Sequence, residues 1–456
     1  MATLALAFVI AAAFLPTPAR ASSSGPALSV ALDFRAEVNQ AKERVFPAVV
    51  FLKCLREDFE GGARRSREVS GSGFLISPKG EILSNWHVVE KALRVRCLLQ
   101  DGRAFPADIV GSDKATDVAL LRLRLPADAG PLPFAVLGDS DALTEGDFVM
   151  AMGAPWGLAR SVSIGIVSCA RRFLPGASEY HCWVQTDAAI SPGNSGGPLL
   201  NTAGEVIGIN TRGAMAGGDL GFAVPSNVAR EIAELLRRRG DPGWSWSGLQ
   251  LQPLRDFDRD MYFDADEGVM VAETAADSPA RRAGFLPGDR IVSLNGNPVT
   301  ARTDEDLPDL RRRLDQLPPD APARADVIRG QTPLTLSFQP ARKGAIEGDV
   351  LDCPRWDFTV KAINRFDTPN LHLHQSEGVY VFGVRQPGNA ALAGLRPNDI
   401  LALIDGEPVR TLAEVAELHR RALERIDRQP RAVLGIRRAG LSRQVVLDFS
   451  RDYLKE

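Results

Sequence analysis

The 456-residue chain is poor in metal-binding groups: it has five histidines and five cysteines, and no two cysteines form a C-x-x-C pair. With no such pair and no Cys/His cluster, no zinc site is expected, nor any other metal or cofactor. Excess positive charge is also missing. Lys and Arg total 54 against 57 Asp and Glu, a net charge of −3, which excludes the basic footprint of a nucleic-acid binder. The arginine runs "ARRSR" (63–67), "RRRG" (237–240) and "RRR" (311–313) are short and read as solvated faces. A membrane-spanning run is lacking too. About 20 apolar residues are needed, and "LALAFVIAAAFL" (4–15) has 12.

That N-terminal run is followed by Pro16, Pro18 and Ala19-Arg20-Ala21, the layout of a secretory signal with a small-residue cleavage site. Export with cleavage after Ala21 is therefore predicted, to a periplasmic or secreted location. No Lys or Arg precedes the run; if it stays uncleaved it becomes a membrane tether. In an oxidising compartment Cys54, Cys97, Cys169, Cys182 and Cys353 are able to pair. Cys169 and Cys182 fall in two runs that read as one hairpin, so that pair is geometrically open, and an odd count leaves one thiol free.

From about residue 45 to 224 short β-rich runs are separated by turn residues: "AVVFLKCL", "GSGFLIS", "EILSNWHVV", "LRVRCLL", "DVALLRLRL", "DFVMAMG", "SIGIVSC", "CWVQTD", "EVIGIN". Many short strands without α/β alternation predict a mainly β sandwich or barrel. "PSNVAREIAELLRRRG" changes the period. Val228, Ile232, Leu235 and Leu236 share a helical face, with Ser226 placed to cap and Gly240 to stop it. "DPGWSW" then reads as a linker. Beyond it the chain repeats itself: Gly268/Gly378, Gly284/Gly394, Asp289/Asp399 and Gly296/Gly406 all stand 110 residues apart. A constant register of this kind marks two copies of one module. The expected division is a signal at 1–21, a β domain at 22–240, and modules at 244–341 and 354–450.

Chemistry points to "TDAAISPGNSGGPLLN" (186–201), where Pro, Gly and Asn force a sharp loop around Ser195. A serine hydroxyl needs a base, most often His. His372, His374 and His419 lie in or beside the second repeat and His181 at a hairpin edge; all four read as surface or packed histidines. His87 instead ends "EILSNWHVV" in the same β domain as Ser195. A base needs a carboxylate to hold its tautomer. Asp113 reads as a turn residue, while Asp117 directly precedes the apolar run Val118–Leu123. The order His87, Asp117, Ser195, spaced by 30 and 78 residues, assembles the three groups of a serine hydrolase in one domain.

On these residues, and on "SGSGFLIS", "SDKATDVALLRL", "GAPWGLARSVSIGIVS" and "GFAVPSN", residues 45–225 resemble a chymotrypsin-type double β-barrel serine protease. With two repeats that resemble PDZ modules, the whole is similar to the HtrA (Deg) family of extracytoplasmic proteases. The resemblance implies an endopeptidase acting on unfolded or damaged proteins in quality control. It also implies a trimer-based homo-oligomer. Gly193, Asn194 and Ser195 are expected to form the oxyanion hole, with Gly196 and Gly197 clearing the approach of substrate. Ala189, next to Ile190, occupies the position that selects Lys or Arg in trypsin-like relatives when it is Asp. A shallow apolar pocket is therefore expected, with Leu220 and Phe222 on its opposite wall. The family gates its oxyanion loop, and the stretches at 170–181 and 211–219 are placed for that.

In the first repeat "SGLQ" (247–250) resembles a carboxylate-binding loop, with Gly248 and Leu249 as peptide contacts. In the second, "WDFT" (356–359) sets Asp357 where a carboxylate should dock, which favours an internal segment or a neighbouring subunit there. The alternative to an enzyme is a non-catalytic chaperone or peptide-binding scaffold that keeps the protease fold.

Overall fold

The computed structural model describes residues 34–154, 160–213, 220–257, 266–453 and 455; the expected signal segment lies outside the described residues. After helix α1 (Phe34–Val45) come β1 (Val49–Asp58), β2 (Arg65–Leu75), β3 (Glu81–Ser84), one-turn helix α2 (Trp86–Val89), β4 (Ala92–Leu98), β5 (Ala104–Asp113) and β6 (Val118–Leu123). These six strands close into a barrel in the order β1-β2-β3-β6-β5-β4. A second barrel, β10-β11-β12-β9-β8-β7, is built from β7 (Phe148–Gly153), β8 (Ser161–Arg172), β9 (Trp183–Thr186), β10 (Pro198–Leu200), β11 (Val206–Gly213) and β12 (Gly221–Pro225).

The alternation of side chains explains the strands. In β4, Val95 and Cys97 are buried while Arg94 and Arg96 are exposed, the period of two that a half-buried strand requires. β6 departs from it, with Val118 to Leu121 all buried, because helix α3 (Ser226–Arg239) covers its outer face. Val228, Ile232 and Leu236 of α3 are buried and Leu235 half-buried, as the helical period predicts. Gly240 ends it at φ +79, returning its amide to Leu236. Ser226 is not the cap. It is the first helical residue, and its hydroxyl donates to the Gly138 carbonyl at 2.9 Å.

The two repeats follow the same plan. Strands Val269–Thr274, Arg290–Leu294 and Asn297–Pro298 recur as Val379–Val384, Ile400–Ile404 and Glu407–Pro408, and helix Pro279–Arg282 recurs as Asn389–Leu392. Buried Asp289 accepts hydrogen bonds from the Leu286 amide and Arg329, as buried Asp399 does from the Arg396 amide and Arg438. The aspartate shared by both repeats thus pins a turn to the sheet.

All five cysteines are free thiols. The Cys169–Cys182 pairing fails on register. Cys169 faces Gln185 and Arg172 faces Trp183, so Cys182 lies beyond the far end of β8, and its thiol donates to the Glu305 carbonyl at 3.3 Å.

Candidate active site

Strand pairing brings the base and its carboxylate together. β3 and β6 are antiparallel with Ser84 opposite Ala119. Continuing that register sets the residues just after β3 against those just before β6. His87 Nδ1 lies 2.9 Å from Asp117 Oδ2 and 3.0 Å from Oδ1, and the His87 amide donates to Oδ1 at 3.0 Å. Asp117 takes a left-handed backbone, φ +56, a conformation that a non-glycine residue adopts at a cost and that clusters at functional sites. His87 sits in α2 rather than at a strand end, so its ring projects from one turn of helix.

Two residues that the sequence reading passed over hold this arrangement. Asn85, fully buried, donates through Nδ2 to the Asp117 carbonyl (3.0 Å) and to Thr211 Oγ1 (3.1 Å), joining the acid side to β11 of the other barrel. Ser72, also fully buried, takes the Ala154 amide on its hydroxyl at 2.8 Å and donates to the Gly193 carbonyl at 2.6 Å. Its own amide donates to the Ser195 carbonyl at 2.8 Å. The signal for both was a small polar residue within an apolar strand motif, "GSGFL" and "LSNWH"; their partners are too distant in sequence to be inferred.

Ser195 lies in the loop between β9 and β10. Its hydroxyl donates to the Thr211 carbonyl at 2.5 Å, and among the described residues no hydrogen bond joins it to the His87 ring. The Gly193–Asn194 peptide is pinned at both ends, its carbonyl by Ser72 and its N–H by the Ser191 carbonyl at 2.9 Å. Asn194 is thereby removed from the expected set of oxyanion donors: its amide is committed to the turn. The amides of Gly193 (φ +102) and Ser195 make no hydrogen bond within the protein among the described residues.

The reading of Gly196 and Gly197 also needs correction. A Cβ on Gly196 (φ +84) would lie 2.1 Å from the Ser72 carbonyl oxygen, and one on Gly197 would lie 2.1 Å from that of Met152. Both glycines are demanded by backbone packed beneath the loop, not by substrate above it.

Around the expected pocket, Ala189 and Leu220 are exposed, and Ile190 is half-buried against Gly221, where a Cβ would meet its Cδ1 at 2.8 Å. Phe222 is buried, 8 % exposed, in the core cluster that includes Met152, Trp183 and Ile209. It is a core residue rather than a pocket wall, because Gly221 and Phe222 point to opposite faces of β12. Residues 214–219 of the expected gating loop lie outside the described residues.

Asp113, the last residue of β5, does serve the turn that follows, its carboxylate accepting the Thr116 amide at 3.1 Å, but it is also buried. It is 3 % exposed and accepts hydrogen bonds from Trp244 Nε1 (3.0 Å) and the Thr116 hydroxyl (2.6 Å), with burial holding its carboxyl above the usual range. The remaining histidines are occupied elsewhere. His181 is fully buried, its pKa pushed down to about 3 by burial, and is therefore neutral. His372 and His374 lie on the short helix Pro369–His374, and His419 Nε2 meets the Pro354 carbonyl at 2.6 Å. In the first repeat Gly248 (φ +80) packs so closely that a Cβ would lie 2.1 Å from Ser278 Cβ. The Leu249 amide beside it donates to Ser247 Oγ at 3.2 Å.

The trypsin-like peptidase domain family matches residues 71–209, and the PDZ domain family matches residues 247–339. A probable periplasmic serine endoprotease, DegP-like, of Pseudomonas fulva (strain 12-X) is 36% identical over 389 residues, 82% of this chain and 79% of the relative. Its counterpart in Halomonas elongata is 37% identical over 368 residues, 78% of this chain and 75% of the relative. Among solved structures, the HtrA-type protease AlgW with tripeptide superposes with a TM-score of 0.59 at 32% identity, covering 67% of this chain and 97% of that one. AlgW with decapeptide gives 0.57 at 30% identity, over 67% of this chain and 99% of that chain. With two closed barrels, a paired histidine and aspartate, and these relatives, the chain belongs to the DegP-like, HtrA-type family of extracytoplasmic serine endoproteases.

Proposed function

We propose that His87, Asp117 and Ser195 are the catalytic triad, and that the chain cleaves unfolded or damaged proteins presented by its first repeat. The observation that carries this is the double contact of Asp117 with His87 Nδ1. A carboxylate there keeps the proton on Nδ1 and leaves the Nε2 lone pair free to accept one. In the reaction the Ser195 hydroxyl leaves the Thr211 carbonyl and turns to Nε2, giving up its proton as Oγ attacks the scissile carbonyl carbon. The imidazolium, stabilised by Asp117, then protonates the departing amine, and water repeats the sequence on the acyl-enzyme. The free amides of Gly193 and Ser195 are the proposed oxyanion donors; loss of one such donor costs about 10²–10³ in rate. Ala189 and Ile190 suit small aliphatic side chains at the cleavage site, with Leu220 at the rim.

Gly248 and Leu249 are the proposed peptide contacts. Domain boundaries fall at 240–244 and, since Val350–Cys353 already pairs into the second repeat's sheet, at 343–349 rather than 341–354. Assembly is a trimer or a multiple of it. Release into the periplasm or medium follows if the segment 1–21 is cleaved; otherwise it is a tether.

One observation favours the second reading, a chaperone: the Ser195 hydroxyl rests on Thr211 rather than on His87. Casein cleavage decides between them. Loss of cleavage in Ser195→Ala supports the protease. Equal suppression of aggregation by wild type and variant, without cleavage by either, supports the chaperone.

A further inference from the structure

The two repeats differ at the edge where a peptide strand would be added. In the first, Leu249–Gln252 is the outermost strand of its sheet and pairs with Val269–Thr274. Its counterpart in the second repeat, Phe358–Ala362, has no open edge. Val350–Cys353 lies antiparallel beside it, with Val350 opposite Lys361 and Cys353 opposite Phe358. Burial reflects the difference. Gln250 is exposed, whereas Phe358, Thr359, Val360 and Lys361 are all buried.

The added strand also runs in the direction a captured peptide must take. The carboxylate-binding loop stands at the N-terminal end of the accepting strand, so a peptide that ends there runs antiparallel to it. Cys353 occupies that end. Its carbonyl accepts the Trp356 amide at 3.2 Å, and the chain continues through Arg355 (φ +74) into Phe358–Ala362. The Asp357 carboxylate is held in the same loop by the Asn389 amide at 2.9 Å and by Arg385, so an arriving terminal carboxylate meets a negative charge already in place. Across the groove, helix Leu412–Glu424 lies against Val350–Cys353. The matching segment of the first repeat is drawn away instead. Trp244 is anchored to Asp113 and packs on Tyr180, ring centroids 4.4 Å apart.

The two strands on either side of this loop are joined to the β1–β2 turn of the first barrel. The Thr359 hydroxyl donates to the Phe59 carbonyl at 2.8 Å, and the Arg64 amide donates to Asp352 Oδ2 at 3.1 Å. Backbones touch here through two glycines. A Cβ on Gly383 would lie 2.3 Å from the Glu60 carbonyl oxygen, and one on Gly62 would lie 2.1 Å from the Arg385 nitrogen.

We infer that the second repeat carries its own internal ligand: Val350–Cys353 fills its peptide-binding edge, and the module serves as a clamp on the β1–β2 hairpin. Peptide capture is left to the first repeat. The contrast rests on the peptide-receptor reading above; the occupied edge does not. Hydrogen exchange on the full chain tests the edge directly. The amides of Phe358–Lys361 are expected to exchange at least about a hundredfold more slowly than open-edge amides, whether or not peptide is present. Titration with a decapeptide pool bearing free C-termini tests the rest. One site per chain is expected in the wild type and none in Gly248→Val. The count should stay at one in the oxidised Asp352→Cys/Thr359→Cys protein, whose cross-link locks the strand in place. Residual binding in Gly248→Val, loss of a site on cross-linking, or fast exchange at Phe358–Lys361 overturns the inference. If the wild type binds no peptide, the receptor reading fails, and slow exchange still supports the occupied edge.

Discussion

At the scale of residues, the site depends on a few contacts whose loss has distinct signatures. Replacing Asp117 with Asn keeps the shape but offers His87 an amide, which favours the wrong tautomer. A fall of about 10⁴ in kcat is expected with little change in KM, measured on a chromogenic peptide. Ser72 acts one step back, since it fixes the Gly193 carbonyl and receives the Ala154 amide. Ser72→Ala leaves the buried Ala154 amide and the half-buried Gly193 carbonyl unpaired and is expected to destabilise the loop by about 1–3 kcal/mol. The variant should show lower kcat with Tm reduced, while Ser72→Thr restores part of both. The sequence singled out His87, Asp117 and Ser195 because each stands in a motif whose residue types carry the chemistry; the fold puts the first two in contact and rests the Ser195 hydroxyl on Thr211. Ser72, Asn85 and the burial of Asp113 were not legible, because they depend on partners 32 to 131 residues away, such as Asp117, Gly193, Thr211 and Trp244.

At the scale of elements, periodicity predicted the strands and α3, and the constant offset predicted the paired modules. Strand periodicity alone suits a sandwich equally well; the double barrel was expected from the motifs that carry the protease resemblance, and two closed six-stranded barrels bear it out. The strand Val350–Cys353 was not legible: bounded by Gly348-Asp349 and Pro354, its four residues read as part of the join between the repeats rather than as an edge of the second sheet. The shared aspartates were visible as a repeat position, but their partners were not. Asp399 is 1 % exposed and accepts two hydrogen bonds from Arg438, each 2.6 Å, besides the Arg396 amide. Asp399→Ala is expected to destabilise the second repeat by about 2–3 kcal/mol, read by thermal unfolding, with catalysis on a short peptide unchanged.

At the scale of the whole molecule, barrel and first repeat meet at a buried polar cluster. Tyr180, 1 % exposed, donates to Asp315, and Lys343 contacts Glu179, Tyr180 and Asp315. Burial pushes the Asp315 carboxyl up to about 6, against the opposing pull of Lys343. In the unfolded chain an aspartate titrates near about 3.9. Between those values the folded state holds more protons, so the contribution of Asp315 to stability is fully present below about 4 and declines as the pH rises through about 6. Wild-type Tm is expected to fall more between pH 5 and pH 8 than that of Asp315→Asn; parallel curves count against the cluster as a titrating interface.

The central claim is that Ser195 becomes a nucleophile when His87 accepts its proton. Fluorophosphonate labelling followed by peptide mass mapping tests it most directly. A serine endoprotease of this geometry is modified on Ser195, slowly in Asp117→Asn and not at all in Ser195→Ala. Labelling that persists in Ser195→Ala, or a wild type that stays unmodified while it cleaves casein, contradicts it.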